Sequence, residues 1–230
     1  MTTRKYSRKQ GDRQPRQTIA IFTEGTVTEV EYLEFILLKL GIPKELVQIH
    51  PSKHSDPKGL VNDAVNAKRQ NEKESRRKGA SLIENWWVLA DTECGRAGLC
   101  EASQKAKDNE IWLGFCDPSI EFWLLLHFQY TTQSFGDVRE LTHRLRRFLP
   151  DYHAGNKHPD MATLFPKLPK AMDNAKRLRK NHTFEGYGSP RTDCDLLIAE
   201  LNCQAHKGSE LFPKEKPSRK SLSIYNCDFR

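Results

Sequence analysis

Two short apolar runs that each end in acid constrain this chain more than any other feature. Residues 18–23 (Thr-Ile-Ala-Ile-Phe-Thr) lead into Glu24-Gly25-Thr26, and residues 85–90 (Asn-Trp-Trp-Val-Leu-Ala) lead into Asp91-Thr92-Glu93. Each reads as a buried strand of a parallel sheet. In an open α/β sheet the C-terminal ends of such strands share one edge, where ligands bind. Glu24, Asp91 and Glu93 are therefore expected to meet in space. Carboxylates gathered without a basic partner repel one another, and a divalent cation relieves that repulsion. The expected cofactor is Mg²⁺ or Mn²⁺, and with it phosphoester chemistry.

The remaining pattern supplies a sheet around these strands. Leu33, Leu37 and Leu40 recur at helical spacing over residues 28–40, with Thr28 and Glu31 spaced as a capping box. A short strand follows at 46–50. Asp56 and Pro57 then read as cap and first helical residue of a long helix reaching residue 77, with Leu60, Val61, Ala64 and Val65 on its apolar face. A helix over 99–108 and a strand over 111–115 complete a β-α-β-α-β-α-β series. That alternation predicts an α/β fold, a mostly parallel four-stranded sheet flanked by helices. Residues 116–128 are apolar apart from a few positions, notably Glu121 and His127, so they predict a buried helix. Beyond Tyr130, helices are expected at 137–148, 168–180 and 193–204. The chain divides into a flexible basic arm (1–17), an α/β core (18–130), a helical annex packed on the core (131–206) and a loosely held basic tail (207–230).

Charge narrows the partners. Lys and Arg number 37 against 30 Asp and Glu in 230 residues, a formal charge of +7. Such an excess suits a polyanion. Beyond the arm, basic residues cluster at 68–78, 139–147 and 167–180. Arg76, Arg77, Arg146, Arg147, Lys176, Arg177, Arg179 and Lys180 are the candidate phosphate contacts; solvated helix faces are the plainer reading. Six cysteines show no zinc-ligand spacing and read as scattered reduced thiols. No apolar run approaches the roughly 20 residues of a membrane span, and the basic N-terminus lacks the apolar segment of a secretory signal. A cytoplasmic protein without membrane contact is expected.

The individual site residues carry two readings each. Glu24 is a metal ligand or general acid/base, or else a charged residue at a helix start. Asp91 and Glu93 alternate, so both face one side of an extended segment and clasp one cation. Glu121 is a further site carboxylate, or an acid favoured by the helix dipole. His127, deeper in the same helix, reads as a satisfied core histidine. Lys157 is suited to neutralise a scissile phosphate, or is a solvated loop lysine.

These residues carry a family resemblance. Glu24-Gly-Thr-Val-Thr-Glu29-Val-Glu-Tyr32, Asp91-Thr-Glu93 and Asp117-Pro-Ser-Ile-Glu121-Phe-Trp-Leu-Leu-Leu-His127-Phe128 resemble successive elements of the RloB-like proteins, defence-associated bacterial members of the Toprim superfamily. Residues 152–157 and Ser189-Pro-Arg-Thr192 are similar to later elements. Asp117 stands where the family pattern has Asn and adds a carboxylate to the candidate metal set; Ile120 stands where it has Phe, and the spacing to Lys157 is longer. The resemblance implies a Toprim-like fold with Glu24 as general acid/base, Asp91 and Glu93 on Mg²⁺, and Gly25, Glu29 and His127 in support. It further implies a metal-dependent endonuclease of antiphage defence, acting on RNA first and DNA second. A non-catalytic nucleic-acid- or partner-binding module is the alternative. A nucleotidyl-transferring or strand-passing enzyme is less favoured, because no companion segment supplies a nucleophilic tyrosine. An activating or restraining defence partner and self-association are left open.

Overall fold

The computed structural model describes residues 17–93, 98–182, 189–206 and 208–222. Five strands form one sheet in the order β2-β1-β3-β4-β5: β1 Ile19–Thr23, β2 Val47–Pro51, β3 Asn85–Asp91, β4 Trp112–Asp117 and β5 Arg191–Thr192. The first four are parallel, as expected. All five residues of β1 and all six of β4 are buried, the signature of strands covered on both faces. Trp87 and Trp112, opposed in register, stack at 4.8 Å between ring centroids. The chain leaves β1 for one side of the sheet and returns on its other side as β3. The order thus reverses between β1 and β3, which opens a crevice beyond their C-terminal ends.

The crossovers follow the sequence closely. Helix α1 (Thr28–Lys39) buries Tyr32, Leu33, Ile36 and Leu37. Helix α2 (Pro57–Lys78) starts where Asp56 accepts the Gly59 amide at 2.8 Å and stops at Gly79, whose φ of +65° favours a residue without Cβ. Its buried face is the expected one. Helix α3 (Leu99–Asp108) precedes β4, and helix α4 (Ile120–Leu126) follows it with every residue buried. Each large apolar side chain so placed contributes roughly 1.5–3 kcal/mol, so α4 anchors the core.

Four expectations are corrected. The capping box does not form: Val27 is the cap residue without a side-chain bond, because the Thr28 hydroxyl donates to the Lys157 carbonyl at 2.7 Å and lies 2.9 Å from the Tyr152 hydroxyl. The sheet has a fifth strand, β5, antiparallel to β4 through the Cys116–Thr192 and Asp117–Arg191 pairs. Residues 131–206 are therefore not purely helical: β5 lies among α5 (Val138–Leu145), α6 (Met161–Leu164), α7 (Leu168–His182) and α8 (Cys194–Cys203). Leu141, Leu145, Leu164, Leu178, Leu197 and Leu201 join the same apolar cluster as the strands. The described part of the C-terminal segment is held: Leu222 is fully buried, Arg219 stacks 4.9 Å over Trp112, and Asn202 bonds the backbone of Leu211 and Phe212. The basic arm up to residue 16, Cys94 and Cys227 lie outside the described residues. Among the described residues no helix is long and apolar enough to cross a membrane.

Candidate active site

The crevice beyond β1 and β3 is a cleft of about 300 Å³. Among the described residues its lining carries five carboxylates, Glu24, Glu29, Asp91, Glu93 and Glu121, and one cation, Lys157. Glu24 follows β1 directly, and Asp91 ends β3. The Asp91 amide donates to Glu24 Oε2 at 3.4 Å. Burial pushes the Glu24 carboxyl up to about 7, aided by repulsion from Glu93, Glu29 and Asp56 and opposed by that amide contact. Asp91 is raised well above the usual range, by burial first and then by the neighbouring Cys116, Glu29, Glu24 and Glu121. Both carboxyls would be easier to ionise beside a cation.

Glu93 reaches the cleft by a different route from the one expected. The segment is not extended: Glu93 sits in the left-handed region at φ +46°, an uncommon state for a residue with a side chain. Its amide donates to the Pro118 carbonyl at 2.8 Å, and the Thr92 amide to the Cys116 carbonyl at 3.0 Å. The end of β4 thus holds the turn that carries Glu93.

Gly25 and Glu29 build the turn after β1. The Gly25 amide donates to Glu29 Oε1 at 2.8 Å. A Cβ on residue 25 would come within 2.0 Å of Glu29 Oε2, so only glycine lets the carboxylate approach. Burial raises the Glu29 carboxyl, as does Glu121, against the lowering pull of the amides and Lys157.

Across the cleft Glu121 is surrounded by donors. Ser119 Oγ donates to its Oε2 at 2.6 Å, while the Tyr152 hydroxyl and Lys157 Nζ donate to its Oε1 at 3.0 and 2.6 Å. Burial opposes its ionisation, but Lys157 and Ser119 outweigh burial and hold the carboxyl below its ordinary value. Ser119, Tyr152 and Thr28 complete this network. The sequence signal for it was thin: a serine two residues before Glu121 and a tyrosine in the element that carries Lys157.

His127 supports from behind. It is fully buried, its Nδ1 3.1 Å from the Trp123 carbonyl and its Nε2 3.0 Å from the Tyr32 hydroxyl. An Nδ1–H donating to the carbonyl leaves Nε2 to accept from Tyr32. Burial lowers its pKa to about 4. This links α1 to α4 and so fixes Glu121 relative to Glu24.

Other candidates lie elsewhere. Asp117 is buried and does not line the cleft; its Oδ1 accepts from the Thr92 hydroxyl, and its Oδ2 has no hydrogen-bond partner among the described residues. Arg179 turns inward against Asp195 and the Thr192 carbonyl, which makes it a structural cation. Arg177 lies 4.0 Å over the Tyr130 ring, and Lys176 sits 3.6 Å from Glu215; both are exposed, as is Lys180. Arg76 and Arg77 end α2, which runs back from the strand C-termini to the opposite edge, where Asn71 bonds the Ser81–Ile83 stretch entering β3. They stand a sheet's length from the cleft. Arg146 and Arg147 are exposed at the end of α5.

The donor set suits a hard divalent cation in kind, being all oxygen and rich in charge. Among the described residues no three His, Cys, Asp or Glu side chains stand close enough to hold an ion as they are placed. Binding would therefore require the flexible Glu24 and Glu93 side chains to turn toward Asp91.

No curated protein and no solved structure matches the chain. A family model described as RloB-like protein matches residues 19–201, from the first residue of β1 to within the last turns of α8. That span takes in every carboxylate of the cleft together with Lys157, and the chain belongs to the RloB-like family.

Proposed function

We propose that this chain is a Mg²⁺- or Mn²⁺-dependent phosphodiesterase of Toprim type that cleaves nucleic acid, RNA first and DNA second, in antiphage defence. The observation that carries the reading is the pairing of Glu24, at about 7, with a raised Asp91 at the reversal point of a parallel sheet. Burying and crowding acids at such a place costs stability and marks a site. A bound cation held by Asp91 and Glu93, with Glu24, would supply Lewis acidity and an activated water. Where Glu24 is not itself a ligand it would serve as the general acid/base, its carboxyl ionised more readily beside the cation than without it. Lys157 brings positive charge to the cleft for the phosphate, and Glu121 orients that ammonium. Cytoplasmic location, partner control and self-association belong to the same proposal.

The test is incubation of labelled total RNA, tRNA, and single- and double-stranded DNA with Mg²⁺, Mn²⁺ or EDTA, beside Glu24→Ala and Asp91→Ala. Metal-dependent cleavage falling about 10²–10⁴-fold in both variants is expected. A second reading, a binding module whose acids are structural, is favoured by the absence of a closed ligand trio among the described residues. It predicts no cleavage, and no effect of Mg²⁺ on stability or binding.

A further inference from the structure

Beside the acidic cleft lies a groove of about 560 Å³ with the opposite character. Val138, Arg139, Thr142, His143, Arg146, His153, Ala154 and Lys157 line it, and no carboxylate is among them. The two hollows share Val138 and Lys157, so they adjoin. Arg139, His143 and Arg146 follow one another at i, i+4 and i+7, one face of α5, while Leu141 and Leu145 bury the other. All three, with His153, are exposed, and among the described residues Arg139 and Arg146 make no ion pair. The acids nearest them on the helix are engaged by its first turn: Asp137 accepts the Glu140 amide at 2.8 Å, and Glu140 accepts the Gly136 amide at 2.9 Å. Nothing of opposite charge lines the groove to neutralise this face.

We infer that this groove is the track for a nucleic-acid backbone, with Arg139 and Arg146 on phosphates about three steps apart along one strand and Lys157 at the point where the strand enters the carboxylate cleft. The inference rests on the phosphodiesterase reading and extends it by placing the substrate. Seven residues of helix span about 10 Å, the axial reach of about three phosphates on one strand of a duplex. The two histidines add hydrogen-bond donors, while the Thr142 hydroxyl donates to the Val138 carbonyl at 2.8 Å, and no aromatic ring other than imidazole lines the groove. Contacts of this composition address phosphate and sugar and position the strand without reading sequence.

The test is fluorescence anisotropy of fluorescein-labelled RNA and DNA of one sequence, each single-stranded and duplex, in EDTA across a salt series. Arg139→Ala/Arg146→Ala is expected to weaken binding about tenfold and to flatten the salt slope by about 0.7–0.9 per cation removed. The charge-matched Arg76→Ala/Arg77→Ala, on the far sheet edge, leaves both unchanged. Equal losses in the two double variants, or none in the first, overturn the track. Cleavage separates this from the broader reading. A wild type that never cleaves, yet loses binding with Arg139 and Arg146, keeps the track and sinks the nuclease. Metal-dependent cleavage and binding that persist undiminished in Arg139→Ala/Arg146→Ala do the reverse.

Discussion

The wall of the cleft built by the ends of β1 and β3 and the wall built by α4 and the 152–157 segment hold the same kind of side chain under opposite conditions. Glu24 receives one long amide contact and is raised by burial and by the charges of Glu93, Glu29 and Asp56, while Asp91 is raised by burial and by neighbours that include Glu24. Glu121, also buried, takes donors from Ser119, Tyr152 and Lys157 and is held below its ordinary value. The second arrangement is how a protein tolerates a buried acid. The first leaves a deficit that a bound cation would relieve.

The largest effect expected comes from the support behind the satisfied wall. His127 has a folded pKa of about 4 against an ordinary 6.5. The unfolded chain then binds the extra proton first, so its contribution is complete above about 6.5 and is lost as pH falls toward 4, by about 3 kcal/mol. Urea unfolding across that window should show the loss in the wild type and not in His127→Gln; parallel profiles would break the link between α1 and α4. Next in size is Glu121→Gln, which weakens the bond to Lys157 and leaves Ser119 a poorer acceptor. A loss of about 2 kcal/mol in chemical denaturation is expected, and an unchanged midpoint would mean that the two walls do not differ. Smallest, and opposite in sign, is Glu24→Gln. A carboxyl raised to about 7 in the folded state stabilises below its unfolded value of 4.5 and loses that contribution as pH rises through 7. Discounted for its partial exposure, the gain from neutralising it at pH 8 in EDTA is about 1 kcal/mol. Thermal melts would show a rise for Glu24→Gln beside the fall for Glu121→Gln; two falls would erase the comparison.

Much of this was legible before any coordinates, and the misses share a cause. Strands β1 and β3, the Asp56 cap and the buried α4 are written in local pattern: unbroken apolar runs, Asp before Pro, no charge to face outward. Thr28 and Glu31 are also spaced as a local cap, but Thr28 is claimed by Tyr152 and Lys157, more than a hundred residues away, and Glu31 pairs with His158. Arg179 looks like its exposed neighbours in sequence until Asp195 is seen to face it. Arg76 and Arg77 required knowing which way α2 runs across the sheet. The left-handed turn at Glu93 depends on carbonyls from β4 and Pro118. The two residues of β5 are too few to show a period at all.

That smallest strand governs how the molecule can be divided. A boundary near residue 130 looks natural from the sequence, since the βα alternation ends there. Yet the partner that closes the outer side of β4 arrives some sixty residues later, in Arg191 and Thr192, bonded beside Cys116 and Asp117. Cut at 130, the first part would keep its acids and expose a bare row of amides and carbonyls at the rim of its own sheet, an invitation to pair with any other chain. The second part would carry away the lysine that the cleft shares with the groove. Neither half is a smaller version of the whole.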